Sequence, residues 1–183
     1  MRTRAKGALS LLAALLVVGL LTMGTPTRPP DRVAARPDRV GIARTERLVA
    51  SVESTGITGA VATPSGTVYA TPYRFVVVRW RAAAVGDVVA PIPGLTTRDG
   101  YEYRAYQRLG LSGWAEVRVG QALVHTTVFE VPQDKVAGAV FTLVPELRTD
   151  VRTLTAVATF PLAELPELPE PFTVPADVTE PAL

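Results

Sequence analysis

The sequence predicts an all-β chain, an antiparallel sandwich or barrel preceded by one N-terminal hydrophobic helix. Three observations carry this. From about residue 48 to 160, apolar residues recur in short β-branched and aromatic runs separated by Gly, Pro and Asp. No stretch of that region sustains a helical period of about 3.6 residues. At the start, residues 7–23 (GALSLLAALLVVGLLTM) carry no charge and follow Arg2, Arg4 and Lys6.

Basic residues followed by an apolar run form an export signal, with the N-terminus inside and the remaining chain outside. The run is longer than the ~7 to 15 apolar residues of a cleaved signal and just reaches the ~17 at the short end of a spanning helix. Length therefore favours an uncleaved single-pass anchor in the cell membrane. Secretion after cleavage is the alternative, the best processing site placing Thr22 third from a cut after Gly24. Residues 1–24 are accordingly a signal anchor or signal peptide. Residues 25–47 read as a stiff, solvated linker, because Pro26, Pro29, Pro30 and Pro37 interrupt any helix and arginines outnumber acids.

Residues 48–160 are the predicted sandwich domain. The expected strands are 48–53, 57–62, 67–70, 73–83, 95–97, 101–106, 122–131, 139–144 and 153–160. In Tyr73–Arg81 (YRFVVVRWR), Tyr73, Phe75 and Val77 face one way while Val76, Val78 and Trp80 face the other. Large apolar groups on both faces predict a central strand. Asp99-Gly100, between LTTR and YEYR, is the pair best suited to a type I′ hairpin turn. Pro132 ends the strand before it, QDKVAG reads as a turn or single helical turn, and Pro64-Ser65-Gly66 as another connection. Residues 161–183 contain six prolines, five acids and no basic residue, and read as a loose Pro/Glu-rich tail. The repeated Glu-Leu-Pro of AELPELPEPF could instead dock in an aromatic groove as a polyproline II segment, the less favoured reading.

Charge and composition exclude several function classes. Setting aside the three leader charges leaves 16 basic against 17 acidic residues, so no nucleic-acid partner is expected. Asparagine is absent and only Lys6 and Lys135 are lysines, a GC-rich codon bias that also discounts arginine as a phosphate signal. Cysteine is absent, which removes disulfides, thiolate nucleophiles and lipid attachment through an N-terminal cysteine. With one histidine there is no basis for a zinc site, no D-x-D-x-D-G calcium loop occurs, and no cofactor fingerprint is present.

A nucleophilic hydrolase needs a nucleophile, a base and an orienting group. His125 shares a strand face with Leu123, Thr127, Phe129 and Val131, which marks a hydrogen-bonded packing residue rather than a base. No serine elbow or S-x-x-K motif appears. The body acids Glu53, Asp87, Asp99, Glu102, Glu116, Glu130, Asp134, Glu146 and Asp150 are scattered, with no spacing that pairs two of them. No catalytic residue is therefore assigned and the chain is expected not to be an enzyme. The one cluster with binding character is Tyr101, Tyr103, Arg104, Tyr106, Arg108 and Trp114. Aromatics interleaved with arginine suit a partner-binding surface; plain cross-strand packing explains them too, and is the favoured reading.

FVVVRWRA (75–82), LTTRDGYEY (95–103) and VGQALVHTTVFEVPQDKVAGAVFTLVP (119–145) resemble a known family over roughly residues 67–160. It comprises extracytoplasmic immunoglobulin-like domains of unknown function related to mycobacterial secreted immunoprotective antigens. The resemblance implies an antiparallel immunoglobulin-like β-sandwich, exported and tethered, and transfers no catalytic residue. The lipid-bearing cysteine common in such proteins is missing here, which leaves the hydrophobic segment as tether. The expected function is a non-catalytic binding or structural module at the cell surface, with a protein or cell-wall partner. The alternatives are a carboxylate-dependent hydrolase of wall polymers and an accessory subunit of a transport or secretion complex.

Overall fold

The structure, a computed structural model, describes residues 33–106, 116–146 and 156–182. The predicted hydrophobic helix lies outside them, as do Arg108 and Trp114. Two compact units divide the chain, Met1–Arg32 and Val33–Leu183, and the second is described below.

Its strands are β1 (Ala34–Ala35), β2 (Ile42–Arg44), β3 (Leu48–Ala62), β4 (Val68–Ala84), β5 (Ala90–Thr96), β6 (Glu102–Arg104), β7 (Gln121–Val131), β8 (Val140–Glu146), β9 (Val157–Pro161), β10 (Phe172–Thr173) and β11 (Val178–Pro181). They form a five-stranded sheet in the order β1-β9-β8-β5-β6 and a six-stranded sheet in the order β10-β3-β4-β7-β11, with β2 also on β3. The long ladders are antiparallel; the short pairs β1/β9 and β10/β3 are parallel. Among the described residues the one helical piece is a single 3-10 turn, Gln133–Lys135, within the segment expected to turn.

The two sheets share one core, which makes the molecule a sandwich. Val76, Val78 and Trp80 of β4 and Phe129 and Val131 of β7 meet Leu95 of β5, Phe141 and Leu143 of β8, and Ala158 and Phe160 of β9. Phe141 sits at the centre, with ring centroids 6.5 Å from Trp80, 6.1 Å from Phe129 and 6.3 Å from Phe160. Alternation along β4 sends Phe75 and Val77 to the opposite face, where they join Val61, Val128 and Val174 in a second cluster. The two-faced central strand read from YRFVVVRWR is therefore present, paired on both sides by β3 and β7.

Four sequence expectations are corrected. First, the linker does not stay solvated throughout. Ala34 and Ala35 pair with Val157 and Ala158, and β2 pairs with β3, burying Ala43. Asp38 starts that return by accepting hydrogen bonds from the Val40 and Ile42 N–H groups, both at 3.0 Å. Second, the tail is not loose: β10 lies along β3 and β11 along β7. Third, each of two strand pairs is one long strand. The runs 48–53 and 57–62 are joined in β3 with a register shift between Val52 and Ser54, and Pro72 sits in the irregular stretch of β4 between Ala70 and Phe75. A bulge tolerates a residue that cannot donate to the ladder. Fourth, the Asp-Gly connection is not type I′, which needs positive φ at both central residues. Among the described residues none other than glycine has positive φ, and Gly100 takes +87°. The turn is closed by Gly100 N–H donating to the Thr97 carbonyl at 2.9 Å, with Thr97 N–H donating to the Tyr101 carbonyl at 2.9 Å. That is the pattern of a three-residue connection with a glycine bulge.

Candidate functional site

The described residues of the predicted surface, Tyr101, Tyr103, Arg104 and Tyr106, are divided by the fold among three environments. Tyr101 follows the β5–β6 turn and is 63 % exposed. Tyr103, opposite Leu95, points inward and packs against the main core. Arg104 and Glu102 are exposed on the outer face of the five-stranded sheet. Tyr106 leaves that sheet: its N–H donates to the Val128 carbonyl at 2.7 Å, and its ring packs edge-on against Phe75 at 5.2 Å and Tyr69 at 6.1 Å. Strand alternation explains the split between Tyr103 and Arg104, and the chain's passage between sheets explains Tyr106.

Among the described residues of that surface, Tyr101 at the hairpin tip and Arg104 stay accessible. The Lys135 ammonium pairs with the Asp99 carboxylate and lies 5.2 Å from the Tyr101 ring centroid. The Thr97 hydroxyl donates to the other Asp99 oxygen at 2.6 Å. The hydrogen bond from Lys135, then that from Thr97, holds the Asp99 carboxyl below the usual carboxylate range. The same bond raises Lys135 above the ordinary lysine value. The tip is thus a polar, aromatic-backed knob, with Arg104 and Glu102 beside it on the sheet.

His125 is a packing residue held by a partner that the sequence pattern could not supply. Its Nδ1 lies 2.7 Å from Asp177 Oδ1, its ring is 5.2 Å from Trp80, and its side chain is 9 % exposed. Asp177 comes from the tail, directly before β11. Several other acids are likewise engaged on the sheet surface: Glu53 with Arg79 at 3.1 Å, Glu167 with Arg74 at 3.5 Å, Glu180 with Arg81, and Glu130 with the Thr71 hydroxyl. Among the described residues no three of His, Asp and Glu come together as a metal site.

The arrangement most easily missed is the docking of the tail. Ile57 N–H donates to the Pro166 carbonyl at 2.9 Å, Leu168 N–H to the Ile57 carbonyl at 2.8 Å, and Val174 N–H to the Ala62 carbonyl at 2.9 Å. Leu168 and Phe172 pack with Tyr69 and Tyr106 around the outer cluster. A Cβ on Gly56 would stand 2.5 Å from Leu168 Cγ, and one on Gly59 would stand 2.6 Å from the Glu170 carboxylate. Two glycines three residues apart in β3 therefore let this segment approach. The less favoured reading of Glu-Leu-Pro, docking against aromatics, describes what the chain does to itself.

No family model matches the chain, and no curated protein matches it. Among solved structures it is similar to the crystal structure of a candidate lipoprotein, YcdA, from Bacillus subtilis subsp. subtilis str. 168, with a TM-score of 0.44 and 10 % identity. The likeness covers 66 % of this chain and 38 % of that one, so the chain spans well under half of that protein's length. At this distance it transfers no residue role.

Proposed function

We propose that this chain is a membrane-tethered, extracytoplasmic, non-catalytic module that binds a protein or wall component at the cell surface. The observation that carries the reading is the N-terminal sequence: three basic residues, then a 7–23 run without charge, ahead of an all-β unit without cysteine. Among the described residues no helix is long and apolar enough to cross a membrane, and the run itself lies outside them. The immunoglobulin-like assignment belongs to the same proposal. Strands β3-β4-β7 facing β6-β5-β8-β9 correspond to strands A-B-E facing C′-C-F-G of such domains, which supports it. Relationship to the mycobacterial secreted antigens rests on the sequence motifs alone.

The non-catalytic part is supported by the engagement of His125, Glu53, Asp99, Glu130, Glu167 and Glu180 in pairings that hold turns, strands and tail together. The partner surface proposed is the hairpin tip and the sheet beside it, Tyr101 with Arg104. Fractionation of the native host with carbonate extraction and protease shaving of intact cells tests the address: the chain should stay with the membrane and be cut from outside. Recovery in the soluble cytosol sinks the reading. Tyr101→Ala with Arg104→Ala should abolish capture of a partner from detergent-solubilised membranes while leaving the circular dichroism spectrum unchanged.

A further inference from the structure

We infer that the end of the sandwich at which the N-terminal chain enters is a shallow membrane-contact face, its occupant the neutral interfacial layer of a lipid bilayer. This rests on the tethered reading above and adds which surface of the domain meets the membrane.

The register places one set of exposed valines at that end. β4 finishes at Ala84, which pairs with Leu48 at the start of β3 and forms a bridge to Val119 just before β7. Val89, just before β5, forms a bridge to Val117. Val85, Val88 and Val119 therefore lie on adjacent pieces of chain, and they are 43 %, 46 % and 57 % exposed. Valine has no polar end with which to meet water, and three on neighbouring segments form a patch rather than scattered surface residues. At the far end the exposed apolar side chains among the described residues are Val68 and Tyr73 of β4 and Tyr101 after the β5–β6 turn, two of the three with hydroxyls.

The chain's entry fixes what covers the patch. Val33 precedes β1, whose partner Val157 opens β9 at this same end, since Ala158 pairs with Leu143 and Ala90 with Glu146. Val33 is itself 66 % exposed. Nine residues separate it from Met23, the last of the apolar run, and at about 3.3–3.6 Å per residue they reach no more than roughly 35 Å. Tethering at that length supplies a high local concentration, so weak apolar contacts suffice. Charge decides the kind of lipid. Among the described residues at this end Arg44, Arg47 and Arg118 are balanced by Glu46, Asp87 and Glu116, so contact does not depend on anionic headgroups.

The chain lacks cysteine, so V85C, V88C and V119C, with V68C as the far-end control, each take one environment-sensitive fluorophore. Full-length protein is reconstituted in phosphatidylcholine vesicles with and without a headgroup-level quencher lipid, and again with phosphatidylglycerol added. Blue-shifted emission, roughly halved by the quencher at 85, 88 and 119 but not at 68, and equal in both lipid mixtures, is the expected result. Protein that sediments with the vesicles while 85, 88 and 119 stay as solvent-like as 68 overturns the contact face and leaves the tether standing. Signal that appears only with phosphatidylglycerol overturns the neutral-interface assignment. Protein that remains in the supernatant overturns the tether, and the contact face with it.

Discussion

Trp80 and His125 show how polar atoms are accommodated on an apolar face. The Trp80 Nε1–H donates to the Thr127 hydroxyl at 2.8 Å, and His125, opposite Trp80 on β7, reaches out to Asp177 at the rim. Each bond satisfies a group that burial would otherwise penalise. His125→Leu keeps the packing volume but leaves Asp177 without its partner, and should cost about 1–2 kcal/mol. Thermal unfolding should register this as a fall of a few degrees. Phe141→Ala, which removes the ring at the centre of the core, should cost about 3–5 kcal/mol and serves as the upper reference. The face occupied by His125 was legible in the alternation of ALVHTTVFEVP. Its partner was not, because 52 residues separate the two and no local spacing encodes such a contact.

Asp99 and Lys135 form the pair whose ionisation the fold changes. The folded Asp99 carboxyl is below its unfolded value, so its contribution is present above that value and is lost as pH falls through the folded one. Lys135 is raised, so its contribution is present below the ordinary lysine value and is lost as pH rises through the folded one. The difference in melting temperature between wild type and Lys135→Met should therefore stay constant between roughly pH 5 and 9 and shrink below about pH 4. Both groups are in solvent, so the difference should be small and fall further in molar salt. A difference that grows on acidification would contradict the pairing.

Among strands, prolines decided what could be read. The sequence predicts a strand only over 95–97 where the structure has 90–96, because Pro91 and Pro93 argue against a ladder. They are tolerated since β6 pairs only with Gly94, Leu95 and Thr96, leaving the prolines on a length of β5 with β8 as its ladder partner. Prolines hide the tail's pairing in the same way. Proline-rich sequence cannot form a regular element alone, yet it can lie beside an edge that meets its carbonyls and its few N–H groups, as Ile57 does by donating to Pro166 and accepting from Leu168. Gly56 held a clue, since glycine inside a strand marks close approach of another segment. Gly56→Ala should destabilise the chain by about 1–3 kcal/mol through its clash with Leu168. In a Leu168→Ala background the cost should largely vanish, because the obstructing atoms are gone. Additive effects in that double-mutant cycle would show that the two side chains do not meet.

For the molecule as a whole, the tail solves an edge problem that the body alone leaves open. Without the tail, β3 beyond the three residues that β2 pairs, and β7 along Gln121–Val124, would present unpaired N–H and C=O groups, while β1 and β6 on the other sheet are only two and three residues long. The tail crosses from one edge to the other through Val174, which packs over Val61, Phe75, Val77 and Val128. It thus covers apolar surface and part of each edge of the six-stranded sheet. A chain ending at Leu165 should unfold at lower temperature and bind a hydrophobic dye through the uncovered cluster. It should also form higher-order species by light scattering at concentrations where the full chain is monodisperse, because exposed strand edges pair with one another. Leu168→Ala separates the two effects: it thins the cover but leaves the backbone pairing of β10 and β11 in place, so it should lower stability without promoting association. Association by both variants alike would assign protection to the apolar cover, and association by neither would show that the edges are guarded by something other than the tail.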